Sequence, residues 1–131
     1  ATATIEHDYR NRFNERPLPR FEGNQAALQA LGRIQPIGAT YGIHFGPVAS
    51  GDEDIMASDR RQQLYRQTGG LAAAWEGAGG ARACAFSNTP YLELRGITDA
   101  ADHAAASAFE DNLNLAMGHV AELLLLWLKQ S

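Results

Sequence analysis

Hydrophobic positions along the chain alternate between short β-prone runs and longer segments with helical spacing. The short runs are bounded by glycine, proline or asparagine, and they predict strands at 2–9, 37–50, 71–75 and 91–95. The longer segments predict helices at 25–31, 59–67 and 76–86. Strands that alternate with helices are typical of an α/β fold.

The last predicted helix is the clearest, because its apolar residues recur every three or four positions. These residues are Phe109, Leu113, Ala116, Val120, Leu123 and Trp127. We expect this helix to pack one apolar stripe on the sheet. Residues 10–23 are polar and contain Pro17 and Pro19, which exclude a helix, so we expect a long irregular excursion there.

Local signals refine two of the other helices. Ser58 is a plausible N-cap for the helix at 59–67, with Asp59 in the first turn and Gly69 at the C-terminal stop. The helix at 76–86 contains three glycines, each of which lowers helix stability by roughly 1 kcal/mol relative to alanine. We therefore expect its face of small residues to pack closely against the sheet.

Composition narrows the classes of partner. The chain has 131 residues, 45% of them hydrophobic, which is enough for one globular domain with a core. A formal net charge of -4 gives no general attraction to phosphate backbones or anionic lipid, so neither nucleic acid nor a membrane is an expected partner. The single cysteine, Cys84, cannot form an intrachain disulfide, which fits a reducing, cytoplasmic setting.

Motifs for several other chemistries fail on spacing. Gly77 and Gly79 resemble the start of a dinucleotide-binding turn, but the third glycine position is occupied by Arg82. The four histidines are scattered along the chain, so no metal site is predicted. Cys84 has no neighbouring histidine or basic residues that would activate a nucleophilic thiol. No metal and no cofactor are therefore expected.

Two carboxylates, Glu76 and Asp99, each follow a predicted strand and are surrounded by small or apolar residues. Active sites of α/β sheets gather at the ends of strands. Such a position can desolvate a carboxyl group and raise its pKa, which suits it to donate a proton near neutral pH. Both residues also precede helix-like segments, so a role as helix N-caps remains the alternative.

Several linked motifs resemble the signature of the nucleoside phosphorylase and nucleosidase superfamily. Residues 75–78 read W-E-G-A and residues 94–102 read L-R-G-I-T-D-A-A-D, where the family has M-E-[GA]-A and R-[AG]-[IV]-S-D-x-A-D. The segment V-A-S-G-D at 48–52 and the pair His7-Asp8 also resemble family motifs. The resemblance is closest to methylthioadenosine/S-adenosylhomocysteine nucleosidases. It implies a three-layer α/β/α fold with a mixed central sheet, and a homodimer.

The resemblance also implies roles for individual residues. Asp99 would protonate N7 of a purine as the glycosidic bond breaks, and Glu76 would bind the ribose 2′-hydroxyl. Trp75 stands where the family has a methionine beneath the sugar, and Thr98 replaces a serine. Phe109 matches an aromatic residue that lines the 5′ side of the sugar, although a place in the core of the last helix is equally compatible.

The implied function is hydrolysis of the N-glycosidic bond of an adenine-type nucleoside such as methylthioadenosine or S-adenosylhomocysteine. Phosphorolysis by a purine nucleoside phosphorylase and nucleoside binding without turnover are the alternatives. Family members are considerably longer than this chain, so the resemblance implies that residues 1–131 are the C-terminal portion of one domain, with the N-terminal half missing. The chain would then be a fragment, a degenerate relative, or one partner of a second polypeptide that supplies the other half.

Overall fold

The computed structural model describes residues 1–9, 17–35, 38 and 40–130. Within these residues the chain forms four strands and four helices. The strands are β1 (Ala3–Glu6), β2 (Arg20–Glu22), β3 (Val48–Ser50) and β4 (Ala72–Ala74). The helices are α1 (Gln25–Leu31), α2 (Ser58–Thr68), α3 (Gly77–Phe86) and α4 (Ala105–Gln130).

The strands form one mixed sheet in the order β2-β1-β3-β4. β1 is antiparallel to β2 and parallel to β3, and β3 is parallel to β4. In the parallel part of the sheet Glu6 pairs with Ser50 and Ser50 pairs with Ala74, so three strands end at the same edge. The predicted α/β fold with a mixed sheet is confirmed, and the carboxyl edge of the sheet is where ligand sites of such folds usually lie.

Helix α1 occupies the predicted residues and ends at Gly32, whose backbone N–H bonds the carbonyls of Ala30 and Leu28. The side chain of Asn24 caps its first turn by accepting a 2.9 Å hydrogen bond from the N–H of Ala27. Both ends of this helix are thus fixed by local hydrogen bonds.

Helix α2 begins one residue earlier than expected, which changes the assignment of its cap. The N-cap is Ala57, in extended conformation and with no side-chain cap, and Ser58 is already helical, so the predicted capping role of Ser58 is wrong. Asp59 does lie in the first turn, and Gly69 ends the helix in a left-handed conformation with φ of 67°. Most residues of α2 are exposed to solvent.

Helix α3 packs on the sheet through only part of its small-residue face. Gly77, Ala78 and Ala81 are buried, whereas Gly79 and Gly80 are exposed. The expected close approach therefore holds for one side of the helix. Gly79 and Gly80 lower the helix propensity of α3, and because both are exposed, burial does not offset that cost.

The irregular excursion expected at 10–23 contains a strand. β2 pairs antiparallel with β1, with Thr4 opposite Phe21. It lies at the edge of the sheet with Arg20 and Glu22 exposed, and its three residues are too few for their alternation to identify a strand. Residues 10–16 lie outside the described residues.

Of the described residues in the strand expected at 37–50, the last three form a strand, β3. Residues 40–47 have no regular structure, and 36, 37 and 39 lie outside the described residues. Glycines at 42 and 46 and proline at 47 interrupt the pattern of backbone pairing that a longer strand would need.

The strand predicted at 91–95 is wrong, because this segment joins no ladder of the sheet. The carbonyl of Tyr91 accepts a 2.6 Å hydrogen bond from the N–H of Asn24, and the amino group of Ala1 donates to the carbonyl of Glu93. These bonds join the segment to residues that flank β1 and β2, and β1 itself is already paired on both sides.

Helix α4 contacts the segment after Arg95 and stands away from much of the sheet. A Cβ atom on Gly96 would lie 2.7 Å from the carbonyl oxygen of Ala116. Ala116 is a buried residue near the middle of α4. A cavity of about 580 Å³ separates α4 from the amino ends of β3 and β4. The expected packing of one continuous stripe on the sheet is therefore wrong at Phe109 and Leu113, which are exposed. No helix in the described part of the chain is long and apolar enough to cross a membrane.

Candidate functional site

Ser50 organises the carboxyl edge of the sheet. Its side chain is fully buried, and its hydroxyl donates to the carbonyl of Trp75 and accepts from the N–H of Ala78, both at 2.9 Å. These bonds fix the turn between β4 and α3, which carries Trp75 and Glu76. The Trp75 side chain is 55% exposed and lies at the rim of this edge.

His7 and Asp8 pack against the loop that follows Ser50. A Cβ atom on Gly51 would lie 2.5 Å from Nε2 of His7, so only glycine allows this approach. The carboxylate of Asp8 accepts a 2.8 Å hydrogen bond from the N–H of Asp52. The segments H-D and V-A-S-G-D are thus in direct contact, although they lie far apart in the sequence.

Glu76 occupies the N-cap position of α3 but makes no side-chain cap hydrogen bond. Its carboxylate is 71% exposed and accepts a 2.9 Å hydrogen bond from Nη2 of Arg95. This bond, together with a bond from its own backbone, lowers the pKa of Glu76. The predicted rise of the Glu76 pKa by desolvation is therefore wrong, because the side chain is wet and paired with a cation. Glu76 is an ionised acceptor at neutral pH.

Glu93 is the acidic residue that is buried in this region, with 7% of its surface exposed. Arg95 donates to it through Nε at 2.7 Å, the hydroxyl of Tyr91 lies 3.0 Å away, and the hydroxyl of Thr4 donates to the same carboxylate. Burial raises the pKa of Glu93, but these three hydrogen bonds outweigh burial and leave its pKa below the ordinary value. Burial raises the pKa of Tyr91 to about 12, so its phenol stays protonated.

The lowered pKa of Glu93 predicts a pH dependence of stability. A carboxyl whose pKa is lower in the folded state stabilises the fold above its unfolded pKa, and that contribution is lost as pH falls through the folded value. We expect the free energy of unfolding to decline below about pH 4.5, the ordinary pKa of glutamate. In Glu93→Gln the decline should be shallower. Urea unfolding from pH 7 to pH 3 measures this; parallel profiles for the two proteins would contradict it.

Asp99 lies in a loop that two helices hold in place. Its half-buried carboxylate accepts hydrogen bonds from the Thr98 hydroxyl at 2.7 Å and the Ala101 N–H at 2.9 Å. The Thr98 carbonyl accepts a 2.8 Å bond from the side chain of Asn112 on α4, and Arg61 on α2 donates to the carbonyl of Ala100 at 2.6 Å. Asp99 is not a helix cap, since α4 begins several residues later.

The structure brings the predicted site residues together in two groups. Glu76 joins Arg95, and Thr98 joins Asp99, whereas Phe109 lies on the first turns of α4 with 46% of its surface exposed. Among the residues that the structure describes, no hydrogen bond links these groups directly. The backbone from Arg95 to Asp99 connects them. The large cavity beneath α4 is lined by Arg95 but by none of the five predicted site residues.

In the described part of the chain no group of three histidine, cysteine or acidic side chains could hold a metal ion.

Sequence reasoning missed both Glu93 and the role of Ser50. The available signal for Glu93 was a single acid between Leu92 and Leu94, where a half-buried segment would otherwise be apolar.

Comparisons with known proteins identify the family of the chain. The family model described as the phosphorylase superfamily matches residues 1–129. A 5′-methylthioadenosine/S-adenosylhomocysteine nucleosidase of Geobacillus kaustophilus is 31% identical over 102 residues, covering 77% of this chain and 42% of that protein. The chain spans between 23% and 52% of the length of the curated relatives that it matches.

Solved structures show the same fold over the whole described chain. The Streptococcus pneumoniae MTA/SAH nucleosidase, solved in complex with 8-aminoadenine, superposes with a TM-score of 0.82 at 25% identity, covering 98% of this chain and 58% of that one. Futalosine hydrolase of Helicobacter pylori superposes with a TM-score of 0.89 at 22% identity, covering 100% and 59%. The elements described above therefore have counterparts in longer α/β proteins.

Proposed function

The chain belongs to the phosphorylase superfamily, and on that premise we propose that it forms part of an enzyme that hydrolyses the N-glycosidic bond of an adenine nucleoside. The observation that carries the proposal is the fixed, half-buried carboxyl group of Asp99. It lies a few residues after Arg95, which pairs with a second carboxylate suited to a sugar hydroxyl. Relatives named as nucleosidases support hydrolysis as the reaction.

The two acids have different tasks in this reaction. Asp99 transfers a proton to N7 of the purine while the C1′–N9 bond breaks and its electron pair passes to the base. Adenine then leaves as a neutral molecule, which general acid catalysis favours. Glu76, ionised beside Arg95, accepts a hydrogen bond from the ribose 2′-hydroxyl and stabilises the positive charge that develops on the sugar. Water adds to C1′, and its proton passes to a base that the other portion of the domain supplies.

Three further residues surround the substrate in this proposal. Trp75, at the exposed rim beside Glu76, covers one face of the sugar. Thr98 orients the carboxyl group of Asp99 through its hydroxyl. Phe109 lines the 5′ side of the nucleoside, where its partly exposed ring offers an apolar surface to a methylthio or homocysteinyl group.

We also propose that residues 1–131 are the C-terminal portion of a single domain. The base that activates water would then come from the other portion, in the same chain or in a second polypeptide. A homodimer, a cytoplasmic location and the absence of a cofactor complete the proposal. The chain spans 52% and 42% of the length of two curated relatives, which supports its assignment as one portion of a longer domain.

Release of adenine tests the proposed function directly. The complete protein that contains this chain is incubated with methylthioadenosine or S-adenosylhomocysteine, with and without phosphate, and the products are separated by chromatography. We expect free adenine and a thioribose product at the same rate in both buffers. Release that requires phosphate, with a ribose 1-phosphate product, would indicate a phosphorylase. Tight nucleoside binding without release would indicate a binding module.

A further inference from the structure

Arg95 bridges two carboxylates that have opposite environments. Its Nε donates to Glu93 at 2.7 Å, and its Nη2 donates to Glu76 at 2.9 Å. Glu93 is buried, whereas the Glu76 side chain is 71% exposed. A guanidinium group presents its N–H donors in a rigid planar fork, so fixing one end of the fork fixes the direction of the other.

The buried end of this bridge is anchored in the sheet. Thr4 is fully buried in the central strand β1, and its hydroxyl donates to Glu93. The hydroxyl of Tyr91 lies 3.0 Å from the same carboxylate and 3.1 Å from the carbonyl of Gly77, the first residue of α3. Glu93 is therefore held by residues from β1 and from the segment before Arg95, and it leaves its remaining oxygen to Arg95.

We propose that Glu93 is a positioning residue that acts through Arg95 to hold Glu76 in place for the ribose. The proposal rests on the proposed function, which assigns Glu76 to a sugar hydroxyl. An exposed glutamate on its own samples many rotamers, and a hydrogen-bond partner that is itself anchored reduces that freedom. The connection runs from Thr4 in the core to Glu93, then to Arg95, and ends at Glu76 on the rim.

The site also shows why Glu93 cannot be replaced by an apolar side chain of similar size. A carboxylate offers acceptors to both hydroxyls and to the guanidinium at once, whereas an apolar side chain leaves Nε of Arg95 without an acceptor. Arg95 would then be free to swing toward solvent, because its side chain is 32% exposed. Glutamine retains one carbonyl oxygen for Arg95, and its amide can donate to the hydroxyl oxygens of Thr4 and Tyr91.

The experiment compares Glu93→Leu, Glu93→Gln and the control Glu22→Gln in the complete protein that contains this chain. Glu22 lies on the edge strand, and its side chain pairs with Arg20 in an exposed contact. Three quantities are measured: the pKa of the Glu76 carboxyl group, by carbon NMR without ligand, and KM and kcat for methylthioadenosine. In Glu93→Leu we expect the pKa of Glu76 to rise toward its ordinary value and KM to rise roughly 10-fold, with a smaller change in kcat.

Glu93→Gln should keep the Glu76 pKa and KM close to their wild-type values, and Glu22→Gln should change neither the pKa nor KM. If Glu93→Leu does not fold, Arg95→Lys applies the same test, because a lysine ammonium cannot donate to both carboxylates from a fixed fork. It should also raise the pKa of Glu76 and KM. An unchanged Glu76 pKa and an unchanged KM in a folded variant would overturn the positioning role. A wild-type protein that releases no adenine would overturn the proposed function instead, whatever the NMR titration shows.

Discussion

Replacement of Asp99 by asparagine is expected to slow adenine release roughly 10²- to 10⁴-fold, the usual contribution of general acid catalysis. Asparagine has the same shape: its amide oxygen can still accept from the Ala101 N–H, and its amide NH2 can donate to the hydroxyl oxygen of Thr98. It cannot transfer a proton to N7 of the purine. The loss should therefore appear mainly in kcat, which single-turnover measurements with methylthioadenosine in the complete protein would record.

The matched control is Asp111→Asn, which makes the same change on the exposed surface of α4. We expect it to leave kcat and KM at the wild-type values. A substrate whose leaving base departs without protonation, such as a nucleoside with an activated aromatic leaving group, should be hydrolysed by Asp99→Asn almost as fast as by the wild type. Equal adenine release by Asp99→Asn and the wild type would remove Asp99 from the reaction.

The elements that could be predicted from the sequence are those whose signals are local. The ends of α1 and α2 follow from Gly32 and Gly69, and β4 from a short run between a glycine pair and Glu76. The strand expected at 91–95 fails for a different reason. Its alternating pattern is that of a strand, but the segment forms no ladder with the described sheet, and its carbonyls accept hydrogen bonds from Asn24 and Ala1 instead. Which strands become neighbours is decided by contacts far apart in the chain.

The site shows the same division between local and distant causes. Two acids placed after β-prone runs could be selected from the sequence. The pKa direction of Glu76 could not, because it depends on Arg95, which lies 19 residues away and reaches Glu76 only in the folded chain. Glu93 matches no motif, and its importance depends on partners from β1 and from its own segment. A buried acid in an apolar run is recognised only when its hydrogen bonds are seen.

Substitution of Gly77 by alanine is expected to destabilise the protein, although alanine favours helices. A Cβ atom at this position would lie 2.6 and 2.7 Å from the two carboxylate oxygens of Glu93. Glu93 cannot yield cheaply, because moving it breaks its bonds to Thr4, Tyr91 and Arg95. Overpacking and disruption of a buried charged group together should lower the free energy of unfolding by about 2–4 kcal/mol.

Urea unfolding of Gly77→Ala and of the matched control Gly79→Ala measures this effect within one helix. A Cβ atom on Gly79 would meet nothing within 4 Å, so Gly79→Ala should be neutral or stabilise the protein by up to about 1 kcal/mol. Removal of the obstructing carboxylate should remove the cost of the added methyl group. In Gly77→Ala combined with Glu93→Val the methyl group has space, and the hydroxyls of Thr4 and Tyr91 keep their mutual hydrogen bond of 3.1 Å. The double variant should then be at least as stable as Glu93→Val alone. Equal stability of the two alanine variants would mean that Glu93 does not occupy the space above Gly77.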